Sequence, residues 1–198
     1  MRTRAVHAGE HAGPAVTPPL VMANSYIVDP DIGFSAGDLS DEPPFIYSRW
    51  RNPTVCSLEA RLEALEDAEA ALCFTSGMSA ITGLFTHVLG HGDHLVMSDV
   101  AYAGAVEYTR DILPKAGVSV THVNASDLSA VEQAIRPQTK LIHIETPCNP
   151  ILRLTDIGAV AEIAHAAGAL LSVDSTFAPP FVTKPLTFGA DFVVHSLT

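Results

Sequence analysis

From Asn52 onward the chain alternates two hydrophobic periods. Val55, Leu58, Leu62 and Leu65 recur at helical spacing, which predicts an amphipathic helix with Asn52 as N-cap and Pro53 in its first turn. The apolar piece AALCF reads as a short strand. It leads into Thr75-Ser76-Gly77-Met78-Ser79 and a helix ending near Leu89-Gly90. HLVMS reads as a strand, Tyr102 to Leu113 as a helix stopped by Pro114, VSVTHV as a strand, and Asp127 to Ile135 as a short helix capped by Ser126. After strand KLIHIE, Thr155 caps a helix whose Ile157, Val160, Ala161, Ile163 and Ala164 form one apolar face, closed by Gly168. Two further strands follow, ALLSVD and ADFVVHSLT. Strands alternating with helices at this spacing predict an α/β fold with a largely parallel sheet covered on both faces. The last element is a strand, an edge expected to be covered by more chain or by a partner.

Residues 1–52 break this rhythm. AGPAVTPPL, DPDIGFSAGDLSDEPP and RNP are rich in Pro, Gly, Asp and Ser and sustain neither period, so an extended arm is expected before a regular domain over 53–198. Ile27, Phe34, Phe45, Ile46, Tyr47 and Trp50 give the arm apolar surface that must pack on something, and a second subunit is a natural candidate.

With 198 residues, 47% of them hydrophobic, the chain can bury a substantial core. Its net charge of −11 is spread along the sequence, which argues against nucleic acid or an anionic membrane as partner. No stretch approaches the ~18 continuous apolar residues of a membrane span, and no apolar signal region follows the N-terminus. Cys56, Cys73 and Cys148 lack CxxC spacing, which fits a reducing cytoplasm. Nine histidines have no HExxH or companion carboxylate at ligand spacing, so no metal site is expected.

Candidate chemistry gathers where strands end. Polar groups at the C-terminal ends of apolar strands are where open α/β sheets bind ligands. Asp174, closing ALLSVD, is a carboxylate in a strand expected to be buried. It needs a cationic or strongly donating partner such as a protonated ring nitrogen, or else it caps the turn STFAPP. Ser196 and Thr198 lie two apart, so on a strand they share a face and both donate to one phosphate. Ser76, Gly77 and Met78 stand at a helix start whose free N–H groups suit an anion, although an ordinary Ser-capped helix gives the same pattern. The segment is neither GxGxxG nor GxxxxGK[ST], which disfavours a dinucleotide or P-loop site. Tyr47 and Arg49 form a second phosphate-binding pair or a solvated turn. In ETPCNP, two prolines fix the loop that carries Glu145, Cys148 and Asn149.

Taken in order, TRAVHAGE, YSRWRNPT, TSGMSA, the Asp-Val-Ala-Tyr turn, ETPCNP, VDSTF and GADFVVHSLT resemble the Cys/Met-metabolism family of pyridoxal-phosphate enzymes, which includes cystathionine γ-lyases, γ-synthases and β-lyases, methionine γ-lyases and homoserine-ester sulfhydrylases. The resemblance covers nearly the whole chain. It implies a type I, aspartate-aminotransferase-like large domain preceded by the arm, with pyridoxal 5'-phosphate as cofactor. Gly77, Met78, Ser196 and Thr198, with Ser76 beside them, would hold the cofactor phosphate. Tyr47 and Arg49 would reach the phosphate of a neighbouring subunit in a homo-oligomer, a dimer of active-site-sharing subunits assembling to a tetramer. Tyr102 would stack on the ring and assist proton transfer, Asp174 would pair with the ring nitrogen, Thr176 would line the opposite face, and Asn149 would bond the ring's 3-oxygen, with Glu145 supporting in the same loop. The implied reaction is elimination of the γ-substituent of a sulfur amino acid such as cystathionine or methionine, with γ-replacement on an O-acylhomoserine as the alternative.

Two departures from the family pattern shape the expectation. The family's cofactor-binding lysine directly follows Ser-x-Thr, where this sequence ends, and Lys184 precedes PLTFGAD and does not occupy that position. The chain is therefore expected to be the N-terminal part of a longer protein that also carries a small C-terminal domain. If the 198 residues were the whole protein, an inactive assembly module would be the reading of another class. Methionine γ-lyases typically carry a cysteine two residues after the stacking tyrosine. Gly104 stands there instead, which favours the cystathionine-type or sulfhydrylase branches, and Cys148 reads as a packing substitution.

Overall fold

A computed structural model describes residues 2–9, 17–29 and 44–198 of the chain. The chain divides between Cys73 and Phe74 into two compact units. The first long helix, expected to open the regular domain at residue 53, belongs to the N-terminal of these units.

In that unit, helix α1 (Arg2–His7) appears within the stretch expected to be wholly extended. It is held by packing on α2 (Pro53–Glu66): Arg4 pairs with Asp67 and donates to Ala64 O, while Arg61 Nε donates to Ala8 O at 3.0 Å. As expected, Asn52 caps α2, its side chain accepting from Thr54 and Val55 N–H. The rest of the described arm is irregular, with one antiparallel bridge between Ser25 and Tyr47 and a turn in which Trp50 N–H donates to Tyr47 O at 2.9 Å. Ile46 is buried and Phe45 stacks near Tyr26, whereas Ile27 and Trp50 are exposed. Phe34 lies outside the described residues, as does most of DPDIGFSAGDLSDEPP. The AALCF piece forms no strand: Cys73 N–H is taken by the Glu59 side chain at 2.8 Å instead of by a neighbouring strand.

The second unit is a five-stranded, all-parallel sheet: β1 (His94–Ser98), β2 (Ser119–Val123), β3 (Thr139–Glu145), β4 (Leu170–Asp174) and β5 (Phe192–Val194), in the order β2-β1-β3-β4-β5. Both faces are apolar, as a parallel sheet requires. On one, Val96, Ile142, Ile144, Leu171 and Val173 pack under α5 (Leu128–Ala134) and α6 (Ile157–Ala166). On the other, Leu95, Met97, Leu141 and Val194 pack under α3 (Gly77–Val88) and α4 (Ala103–Glu107). Each fully buried aliphatic side chain contributes about 1.5–3 kcal/mol.

Several local expectations shift. The helix expected over Tyr102 to Leu113 is α-helical only to Glu107. It then widens to a π-turn over Tyr108–Ile112, where Leu113 N–H bonds Tyr108 O, before a 3₁₀ turn over Leu113–Ala116. Pro114 has no N–H to continue the regular ladder, and Thr109 Oγ1 takes Val106 O at 3.0 Å. Asp127, not Ser126, caps α5, because Ser126 is bonded to Asn124 Oδ1. Asp156, not Thr155, caps α6, because Thr155 N–H is taken by Thr146 Oγ1. Gly168 does end α6, at φ +70°. Finally, β5 stops at Val194, so Ser196 and Thr198 lie beyond the strand rather than on it.

His94 opens β1 fully buried, between Thr139 Oγ1 at 2.8 Å (Nδ1) and Thr121 Oγ1 at 2.9 Å (Nε2). Burial, and secondarily the Arg136 guanidinium, lower its pKa from 6.5 to about 4. The native state thus holds it neutral while the unfolded chain protonates near pH ~6.5. Its contribution is fully present above that pH and is lost as pH falls toward about 4. That loss is expected to be on the order of 3 kcal/mol. Urea unfolding between these pH values should show a shallower pH dependence in His94→Gln than in wild type. Equal slopes would remove His94 from the acid response.

Candidate active site

The site is assembled at the C-terminal ends of β3, β4 and β5, on the face covered by α3. Parallel pairing sets His143 beside Ser172 and Glu145 beside Asp174. Residues two apart on a strand share a face, so these four polar groups form a two-by-two patch at the sheet end. His143 Nδ1 meets Ser172 Oγ at 3.1 Å, and Phe85 of α3 packs edge-on against its ring, centroids 5.0 Å apart.

Asp174 is buried, only 6% exposed. Its Oδ1 accepts from Thr176 N–H at 3.0 Å and from Thr176 Oγ1 at 2.6 Å. Among the described residues no cation forms an ion pair with it. Its charge acts on buried His143, whose pKa burial drives down despite the attraction of Asp174, so the imidazole stays neutral. Asp174 is thus a buried carboxylate supplied with hydrogen bonds but with no ion-pair partner among the described residues, an arrangement that favours a cationic ligand atom.

Thr176 links this acid to the other end of the site, its Oγ1 accepting Ser196 N–H at 2.9 Å. Ser196 Oγ in turn lies 2.8 Å from Thr198 Oγ1. The two hydroxyls therefore come together although neither is on a strand. Facing them is the start of α3, where Ser76 Oγ accepts Ser79 N–H and lies 2.9 Å from Ser79 Oγ. Gly77 approaches so closely that a Cβ there would sit 2.9 Å from Ser196 Cβ and 3.1 Å from its Oγ. A helix N-terminus ringed by hydroxyls, with glycine at the point of closest approach, matches the donor set a phosphate requires.

Two loops flank the patch. Glu145 is buried at the end of β3. Its Oε2 accepts Tyr102 N–H and its Oε1 accepts Asn149 N–H, each at 2.6 Å. Burial raises its pKa and neighbouring Asp174 adds to that, while the two N–H bonds oppose it. Tyr102 is half exposed, and its ring lies against Gly104: a Cβ at 104 would meet Tyr102 Cε1 at 2.8 Å and Met78 Sδ at 3.2 Å. Any side chain at 104 must displace that ring. Cys148 is buried in the same loop, in keeping with packing.

Ser76, Gly77, Met78, Tyr102, Glu145, Asn149, Asp174, Thr176, Ser196 and Thr198 all belong to this unit. Tyr47 and Arg49 belong to the N-terminal one, where Arg49 Nη2 donates to Tyr47 Oη at 2.8 Å. Sequence reasoning passed over His143 and Ser172. The signal for both was present: each is a polar break in an apolar run, two residues before Glu145 and Asp174.

A parallel α/β sheet with a hydroxyl-ringed helix start and a buried acid at the strand ends is the arrangement in which open α/β domains bind cofactors and other ligands. Residues 2–198 match the family described as Cys/Met metabolism PLP-dependent enzyme, and the chain belongs to that family. It is 44% identical over 99% of its length to canavanine γ-lyase from Pseudomonas canavaninivorans, and 42% identical over 100% to cystathionine γ-lyase from Bacillus subtilis. The chain spans about half the length of the curated relatives it matches, 50% in each of these two. Among solved structures, cystathionine γ-lyase from Lactobacillus plantarum complexed with L-serine superposes with a TM-score of 0.88 at 38% identity, covering 98% of this chain and 49% of that one. The cofactor of the family is pyridoxal 5'-phosphate.

Proposed function

We propose that this chain provides the cofactor-binding part of a lyase that removes the γ-substituent of an amino acid. The observation that carries the reading is Asp174, buried and without a protein counter-cation among the described residues. When bound, pyridoxal phosphate supplies an electron sink for the substrate carbanion, effective when its ring nitrogen stays protonated. Asp174 would hold that proton on the ring nitrogen, and Thr176, which fixes the carboxylate by two bonds, would line the ring. Tyr102 would stack on the ring and move protons at the substrate's Cα and Cβ. Asn149 would bond the ring's 3-oxygen. The α3 N-terminus at Gly77 and Met78, with Ser76, Ser196 and Thr198, would receive the phosphate. Tyr47 and Arg49 serve the phosphate of a neighbouring subunit, in a homotetramer built from dimers that share their sites. The free thiols of Cys56, Cys73 and Cys148 suit a cytoplasmic enzyme.

Gly104, standing where methionine γ-lyases typically carry a cysteine, favours a cystathionine-type substrate or a sulfhydrylase over methionine γ-elimination. The name canavanine γ-lyase among the relatives extends the class to γ-substituents that are not sulfur. γ-Replacement is the second reading, favoured by 40% identity to O-succinylhomoserine sulfhydrylase from Pseudomonas aeruginosa. Incubating the full-length protein with cystathionine, methionine, canavanine, or O-succinylhomoserine plus cysteine separates the two. Release of 2-oxobutyrate from cystathionine marks elimination, and formation of cystathionine marks replacement. Bound cofactor with turnover of none of the four would sink both.

A further inference from the structure

We infer that Glu145 is a positioning residue that ties two loops into one working geometry. It rests on the proposed cofactor site in one respect only, namely what those loops hold. The geometry itself is independent of any ligand. One buried carboxylate spends an oxygen on each of two backbone amides, Tyr102 N–H and Asn149 N–H, both at 2.6 Å. Tyr102 follows β1 and is 43 residues away, whereas Asn149 follows β3 in Glu145's own loop. The Arg153–Asp99 ion pair also joins these two loops but touches neither site residue, whereas Glu145 bonds the Tyr102 and Asn149 amides themselves. Tyr102 is the N-cap position of α4, where the backbone N–H precedes the helix's own hydrogen-bond ladder, and Glu145 Oε2 accepts it.

The chemistry of the group fits this task. A carboxylate accepts at both oxygens, an amide accepts at only one, and a charged acceptor makes the stronger hydrogen bond. Glu145 also stands beside Asp174 in the strand register, so the anchor of both loops and the buried acid are fixed to the same two strand ends. In the proposed site this puts the ring-stacking side chain, the 3-oxygen donor and the ring-nitrogen partner on one frame. Glu145 touches none of the reacting atoms itself. Its effect passes through Tyr102 and Asn149.

Glu145→Gln tests this, because it keeps size and burial but leaves one amide without an acceptor. Amide hydrogen exchange on the cofactor-free full-length protein should accelerate by about tenfold or more at Tyr102 or Asn149, with β1, β3 and β4 unchanged. After titration with pyridoxal phosphate, the visible circular dichroism per bound cofactor should fall by about half, and kcat should drop by about tenfold with little change in KM. Glu145→Asp, one methylene shorter but still anionic, should keep the fold and expose at least one of the same amides. Retained protection at both amides in both variants overturns the clamp. So does faster exchange with unaltered dichroism and kcat. Faster exchange in a protein whose wild type binds no pyridoxal phosphate would instead uphold the clamp and defeat the cofactor reading.

Discussion

Asp174→Asn is expected to lower turnover by about 10²–10³-fold, the cost of removing one preorganised electrostatic partner from a water-poor site. Asparagine preserves the shape, and its side-chain oxygen still accepts from Thr176 N–H and Oγ1, the two bonds that Oδ1 of the acid holds now. What disappears is the negative charge. In the native site that charge sits at 6% exposure without a cation from the described residues, beside an imidazole kept neutral by burial. With the carboxylate gone, nothing nearby compensates for a proton on the ring nitrogen, and the electron sink weakens. Cofactor affinity should fall as well, whereas the midpoint of thermal unfolding without cofactor should hold or rise, because an uncompensated buried charge costs stability. Turnover on cystathionine within about twofold of wild type would detach Asp174 from the chemistry.

The parallel α/β sheet was legible because its information is local: each strand is an apolar run bounded by turn residues, and each long helix carries its own period. The acid, the hydroxyl pair and the helix start were legible as residue types in order. Their connections were not. That Thr176 bridges Asp174 and Ser196, the latter 20 residues beyond Thr176, depends on where the chain turns after β4. Glu145 could be placed in a fixed loop, but its bond to an amide 43 residues away leaves no trace in the sequence. Helix caps failed for a related reason. Ser126-Asp127 and Thr155-Asp156 each offer two competent caps, and the choice was made by Asn124 and Thr146, which engage the first of each pair. Ser196 and Thr198 were expected to align through strand geometry. They align instead because Thr176 holds the Ser196 amide and the hydroxyls bond each other, beyond the last strand pair.

That chain of contacts makes Gly77 the point where one added methyl group should do most harm to cofactor binding. A Cβ at 77 falls 2.9 Å from Ser196 Cβ, 3.1 Å from Oγ and 3.4 Å from Cα, so relief requires the Ser196 backbone to move. Ser196 is not free to recede: its amide is bound by Thr176 Oγ1, and Thr176 is bound to Asp174. The overpacking cost of about 1–3 kcal/mol is partly offset by alanine's helix propensity, up to ~1 kcal/mol. Gly77→Ala should therefore fold, with the strain concentrated on the cradle. Titration of the cofactor-free full-length protein should show the dissociation constant for pyridoxal phosphate raised about tenfold or more, since phosphate oxygens lose both the space and the amide geometry at the α3 start. Ser196→Gly supplies the control, because it deletes the Cβ and Oγ that the new methyl group meets. If the cradle lies between these residues, Gly77→Ala should cost clearly less affinity in the Ser196→Gly background than in wild type, a coupling that a double-mutant cycle measures directly. Equal losses in both backgrounds would mean that the methyl group acts elsewhere, and wild-type affinity in Gly77→Ala would move the phosphate away from α3.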